Sequence, residues 1–471
     1  MNAALPVPAS DTIAAIATPP GRGGVGVIRL SGPAASAILD ALFHPSVPRS
    51  CAFTPRRLYH GHVCDSSSGR IDVIDEALAV LMPAPHSYTG EDVVEIHCHG
   101  SPVILQAVLD AALCQGARLA VRGEFSRRAF LNGRLDLAQA EAVAELIAAP
   151  TRGAARLALA RLDGRFGRTI QTLRHRLEAL RRDLCLALDF PDEDVECLAP
   201  EDFASALAEV RAVIGDLIAA CERSRPWREG ACVVLAGRVN AGKSSLLNAL
   251  LGWKRALVSV APGTTRDFIE ETLHLDGLPV RLVDTAGLRE TGDIVEQEGQ
   301  ALTHDQIDNA DLVLLVIDAT VPVGEHEREL LARLNPERVI VVFNKCDCLE
   351  PGAPTMGHAL HQATAARGIA CLETAAVTGQ GLDELASAIR SRIAGVEPDP
   401  DELAPNLRQR DALRQALGEL EGLAAELDAG IPYDLLSVRL DLACQCLAGI
   451  VGDIAPEDVL ERIFEQFCIG K

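Results

Sequence analysis

Aromatic side chains are scarce. They make up 3% of the 471 residues, with 2 Trp and 3 Tyr, which excludes a single-strand-binding surface built on stacked rings. Positive charge is also in deficit: 44 Lys and Arg face 66 Asp and Glu, for a net charge of −22. A protein that holds nucleic acid mainly by gripping phosphates does not look like this. Any RNA contact must be local or shared with a partner. The arginines do gather locally, as Arg122, Arg127, Arg128 and Arg134, then as Arg174, Arg176, Arg181 and Arg182. No run of 18 apolar residues occurs, so no membrane span is expected. The opening MNAALPVPASD lacks a basic residue ahead of an apolar core and is not read as a secretory signal. The 14 cysteines are scattered rather than framed, and read as reduced thiols of a cytoplasmic protein.

Apolar residues at 48% and charged residues at 23% describe a folded chain, and its length suggests several domains. The expected fold class is multidomain α/β. Residues 1–125 alternate short strands, turns and one helix opened by Pro102, an α+β pattern. Residues 126–226 carry helical spacing, with an acidic loop over Asp189–Glu196 read as solvated. From 227 to 395, ACVVLAG, PVRLVDTAG, DLVLLVID and RVIVVFNK are continuous apolar runs, each followed by a helical pattern. Strands apolar on both faces mean a parallel sheet covered on both sides. Residues 396–471 return to helix, so the α/β block reads as an insertion in one all-α domain.

Within that block, Gly237 to Ser244 fits G-x-x-x-x-G-K-[ST] between a strand and a helix. The segment Asn240, Ala241, Gly242, Lys243, Ser244 and Ser245 is expected to wrap GTP phosphates. Lys243 neutralises the outer phosphates, and Ser244 offers a hydroxyl to Mg²⁺. Asp284-Thr285-Ala286-Gly287 follows a second strand and places a carboxylate near the metal. Asn344-Lys345-Cys346-Asp347 ends a third. Asp347 can accept from guanine N1–H and its exocyclic amine, a donor pair that adenine lacks. The order of the three motifs is that of the GTPases. The usual S-A-K element appears as Ala375-Ala376-Val377, whose Ala376 N–H is offered to guanine O6. Thr265 is the natural second Mg²⁺ hydroxyl.

Leu288 stands where Ras-like enzymes carry a water-orienting Gln. Asn240, with loop oxygens from Ser259, Ala261 and Thr264, could hold a monovalent cation beside the phosphates. Glu296 reads either as a solvated acid at a helix start or as the group that orients water. His97-Cys98-His99 puts two imidazoles on one strand face without a third metal ligand, so packing or hydrogen bonding is expected of them.

The flanks TPPGRGGVGVIRLSG, PHSYTGEDVVEIHCHG, GEFSRRAFLNGRLDLAQAEAV and the terminal FCIGK together resemble the MnmE (TrmE) family of tRNA-modification GTPases, over essentially the whole chain. The resemblance implies an N-terminal domain that binds a tetrahydrofolate (5-formyl or 5,10-methylene form) and forms a homodimer. It implies a flavoprotein partner (MnmG, also called GidA) and tRNA as substrate. The reaction it implies adds an aminomethyl or carboxymethylaminomethyl group to C5 of the wobble uridine. GTP hydrolysis would depend on potassium and on two G domains meeting. Carried over, the folate contacts are Arg29, Glu95, Arg134 (often Lys in the family) and Lys471. Potassium falls to Asn240, Ser259, Ala261 and Thr264, and Mg²⁺ to Ser244 and Thr265. Glu296 falls on the water-orienting glutamate. Cys468 matches the family's C-terminal cysteine, a candidate catalytic thiol. A ribosome-maturation switch would explain the G motifs equally well, but neither the N-terminal block nor FCIGK.

Overall fold

The computed structural model describes residues 11–47, 52–65, 72–189, 200–253, 270–275, 277–284, 306–349, 364–394, 402–429, 433–454 and 456–471. They form two compact units. One comprises Met1–Glu145, Leu159–Gly215 and Leu407–Lys471, the other Leu146–Ala158 and Asp216–Asn406.

The first unit opens on a seven-stranded sheet in the order β3-β4-β5-β6-β2-β1-β7. Its strands are β1 (Ile13–Ile16), β2 (Gly23–Ser31), β3 (Phe43–Pro45), β4 (Tyr59–Asp65), β5 (Asp72–Met82), β6 (Val93–Gly100) and β7 (Arg118–Leu119). All neighbours run antiparallel except β1 with β7. Period-two alternation sets the faces. Val94, Ile96 and Cys98 of β6 join Ile28 and Leu30 of β2 in a core covered by α1 (Ala35–Leu42) and α2 (Pro102–Cys114). Glu95 and His97 therefore point the other way, and the β2–β6 register sets Arg29 directly opposite Glu95.

The helical spacing expected from residue 126 onward resolves, between residues 137 and 189, into three helices. They are α4 (Leu137–Ala148), α5 (Arg152–Leu162) and α6 (Arg165–Asp189), which follow α3 (Glu124–Leu131). Gly164 lies between the last two at φ +78°, a conformation that stops a helix. Next come α7 (Pro200–Glu229) and, later, α11 (Leu407–Asp428), α12 (Tyr433–Val451) and α13 (Glu457–Glu465). Leu413, Ala416, Leu420 and Leu423 recur at helical spacing on α11 and are fully buried, as are Leu436, Leu440 and Leu447 of α12. Asp189 is the last residue of α6, and the rest of the acidic run lies outside the described residues. α7 also runs past residue 227, the expected start of the α/β block. Pro226 sits inside it, and its carbonyl accepts from Gly230 N–H at 3.0 Å.

The second unit holds a six-stranded sheet in the order β13-β12-β11-β8-β10-β9. Its strands are β8 (Ala231–Ala236), β9 (Glu270–Leu275), β10 (Leu278–Asp284), β11 (Leu312–Asp318), β12 (Val339–Asn344) and β13 (Ala370–Glu373). All pairs are parallel except β9 with β10. Alternate residues of β8, β11 and β12 enter two separate cores, one on each face. That two-sided burial is the reason these strands read as unbroken apolar runs. α8 (Lys243–Trp253), α9 (Glu325–Arg333) and α10 (Leu382–Ala394) belong to this unit.

Candidate functional site

At the carboxyl end of β8 the chain turns through Gly237 (φ +139°), Asn240 (φ +64°) and Gly242 (φ +92°) into α8. A Cβ on Gly237 would collide with the Val316 carbonyl, and one on Gly242 with the Asn344 carboxamide. Only glycine fits this loop at those two points. The first turn of α8 adds the dipole of a helix start, which favours anions.

Lys243 is buried, and its Nζ donates to the Gly237 and Arg238 carbonyls at 2.9 and 2.8 Å. Ser244 Oγ donates to Asp284 Oδ2 at 2.6 Å. That orientation commits the hydroxyl proton to the carboxylate and leaves an oxygen lone pair for a hard cation, so the donor set suits Mg²⁺. Asn344 Nδ2 donates to the Ala241 carbonyl at 3.2 Å, and its Oδ1 accepts from Ala376 N–H at 3.2 Å. The N–H proposed for guanine O6 is thus shared with the asparagine that ties the loops. Ala375 N–H donates to the Gln380 carbonyl. Lys345 Nζ reaches the Asn240 carbonyl at 2.7 Å and Asp318 Oδ2 at 2.6 Å. Burial pushes Asp318 up, but the hydrogen bonds from Lys345 and Thr320 prevail and hold it below the usual carboxylate range. Asp347 sits in a short 3₁₀ turn, Cys346–Cys348, beside Lys345. The structure thus gathers Asn240, Ala241, Gly242, Lys243, Ser244, Asp284, Asn344, Lys345, Ala376 and Asp347 at the carboxyl ends of β8, β10, β12 and β13. Ser245 follows on α8. Ser259, Ala261, Thr264, Thr265, Thr285, Ala286, Gly287 and Glu296 lie outside the described residues.

A second cluster forms in the first unit. Arg29 Nε donates to Glu95 Oε1 at 3.0 Å, and another guanidinium nitrogen donates to the Gly470 carbonyl at 3.1 Å. Gly470, at φ +94°, lies so close to β1 that a Cβ would strike the Ile16 carbonyl. This brings Lys471 to the Arg29–Glu95 pair. Burial, reinforced by Arg29, lowers the Lys471 pKa below the ordinary 10.5. Two cations confined beside one carboxylate fit an anionic ligand that also presents hydrogen-bond donors, as a folate does. Arg134 Nε donates to the Ser87 carbonyl at 3.1 Å, and Cys468 is exposed on the same tail as Lys471. Sequence reasoning missed Tyr88 and Phe125, whose rings lie 5.5 and 5.8 Å from the Arg29 guanidinium. SYTGED gave a turn signal and nothing about a partner far away in the chain.

His97 Nε2 lies 3.4 Å from Glu95, and His99 Nδ1 lies 2.8 Å from Asp75. Among the described residues no group of three metal ligands forms. No described helix is long and apolar enough to cross a membrane. Most of the clustered arginines are used internally. Arg127 pairs with Glu457, Arg174 with Glu178 and Asp453, and Arg181 with Asp441.

The family described as "GTP-binding protein TrmE N-terminus" matches residues 12–134, and "MnmE helical domain" matches 137–468. The tRNA modification GTPase MnmE of Nitratidesulfovibrio vulgaris (strain DP4) is 55% identical over 469 residues, covering 98% of this chain and 99% of that one. The protein of the same name from Lawsonia intracellularis is 47% identical, covering 98% and 100%. Among solved structures, the G domain of the T. maritima FeoB iron transporter matches 34% of this chain and 98% of that one at 30% identity, with a TM-score of 0.26.

Proposed function

The chain belongs to the MnmE family of tRNA modification GTPases, and from that premise we propose a division of labour. Residues 227–395 hydrolyse GTP, and this drives a modification performed with the flavoprotein partner MnmG. That modification adds an aminomethyl or carboxymethylaminomethyl group to C5 of the wobble uridine (position 34) of certain tRNAs. The observation that carries the GTPase half is the meeting of the phosphate loop, Asp284 and the guanine-reading Asp347 turn at the carboxyl ends of the parallel strands of one sheet. Residues 126–226 and 396–471 supply one helical domain, and residues 1–125 the folate-binding and dimerising domain of a cytoplasmic homodimer.

Lys243 exchanges the Gly237 and Arg238 carbonyls for phosphate oxygens. Ser244 and Thr265 hold Mg²⁺, with Asp284 fixing the Ser244 proton. Asn240, Ser259, Ala261 and Thr264 hold potassium. When bound, the two cations offset the negative charge that develops on the phosphates. Glu296 orients the attacking water, and Asp347 reads guanine. In the first unit, Glu95 faces the amine and amide edge of a tetrahydrofolate, and Arg29, Arg134 and Lys471 are its cationic contacts. Cys468 stands beside them as a thiol for the one-carbon chemistry.

GTP turnover in KCl against NaCl at equal ionic strength tests the cation assignment. Turnover several-fold faster in KCl is expected; equal rates remove potassium from the mechanism.

A further inference from the structure

The segment from Ala84 to Asp92 joins β5 to β6 and carries Tyr88 to the Arg29 guanidinium. Four side chains tie it down. Arg128 of α3, 3% exposed, donates to both oxygens of Glu91 at 3.2 and 3.1 Å and to Asp11 and Glu124. Ser31 Oγ, fully buried two residues along β2 from Arg29, donates to Glu91 Oε2 at 2.7 Å and lies 2.6 Å from Thr89 Oγ1. Ser126 Oγ, also fully buried, shares a 2.8 Å hydrogen bond with the Tyr88 hydroxyl. Asn132 Nδ2 donates to the Thr89 carbonyl at 2.7 Å.

Burying an arginine and a glutamate is costly unless geometry and partners are complete. Fold stability alone does not call for so many polar ties on one partly buried turn. They do fix the position of a phenol ring against a guanidinium. Phe125 of α3 is fully buried, whereas Tyr88 is only half-buried and so can touch a ligand. A phenol ring beside the Arg29–Glu95 pair suits the planar pyrimidine ring of the reduced pterin whose edge Glu95 faces.

We infer that Tyr88 forms a wall of the tetrahydrofolate site and that Glu91, gripped by Arg128 and Ser31, is the positioning residue that holds Tyr88 there. The inference rests on the folate reading above. Calorimetric titration of the full-length protein with 5-formyltetrahydrofolate tests it, with GTP affinity and melting temperature as controls. Glu91→Gln is expected to weaken folate binding about tenfold and to leave GTP affinity unchanged. Tyr88→Leu is expected to weaken it comparably. Adding Glu91→Gln to Tyr88→Leu is then expected to cost less than about twofold more, because both changes remove one wall. Full additivity, which a general structural role would give, overturns the inference. Should Glu91→Gln fail to fold, Ser126→Ala removes only the partner of the Tyr88 hydroxyl. It is expected to weaken folate binding about threefold, and unaltered affinity overturns the clamp. Absence of binding by the unsubstituted chain removes the folate reading and this inference together. Binding by that chain with full affinity in both single clamp variants removes the clamp alone.

Discussion

Lys471 shows how a single residue ties function to pH. Its ammonium titrates below the ordinary value of 10.5, through burial first and Arg29 second. An anion bound beside it favours the charged form, so affinity is complete below that lowered pKa and falls as pH rises through it. Folate affinity should therefore decline on the alkaline side before an ordinary lysine would titrate. Lys471→Met should abolish that decline while weakening binding; an unchanged alkaline profile in Lys471→Met would clear this ammonium of the role. Glu124 works on the acid side. Burial raises its pKa, but hydrogen bonds from Arg118, the Val121 N–H and Arg128 outweigh that and hold it below 4.5. A depressed carboxylate stabilises the fold above its unfolded pKa, and the contribution is lost as pH falls through the folded one. Glu124→Gln is expected to lower the melting temperature at pH 7 by roughly 5 °C or more and to flatten its fall between pH 5 and pH 3. Parallel profiles for the two proteins would contradict this. Sequence made the phosphate-loop and guanine residues legible because their spacing is local. It could not place Lys471 against Arg29, a contact across 441 positions that ends on the Gly470 carbonyl. Nor could it distinguish Arg128, buried in a network, from its exposed neighbour Arg122.

Among the elements, the parallel strands were the most readable part of the fold, because burial on both faces writes itself into composition. β9 was not read. It is a short antiparallel strand at the sheet edge, joined to β10 through Gly277 at φ +89°. The break between α4 and α5 coincides with Pro150, where the sequence itself ends one helical run. The break between α5 and α6 was not read: it is one turn through Gly164 inside an alanine- and leucine-rich stretch, too small to interrupt a helical periodicity. The β8-to-α8 turn makes the sharpest prediction at this scale. Gly242 combines a left-handed φ with contact against the Asn344 carboxamide, which in turn holds the Ala241 carbonyl. Gly242→Ala should weaken GTP binding roughly 10- to 100-fold and leave folate titration as it was. Equal GTP affinity in nucleotide titrations would show that the loop tolerates a Cβ.

For the whole molecule, the net charge of −22 and the internal pairing of most clustered arginines fit a protein that shares its RNA with a partner. In the proposed account, the GTP-bound and hydrolysed forms differ in the order of the loops that hold phosphate and metal, and that difference governs one-carbon chemistry at the Arg29 cluster. Glu296→Ala is the variant that separates nucleotide binding from cleavage. Expressed in cells lacking the endogenous gene, it should bind GTP with ordinary affinity and fail to turn it over. Mass analysis of tRNA nucleosides from those cells should then find position 34 without its aminomethyl-type substituent. Normally modified wobble uridines alongside lost GTP turnover would contradict the account.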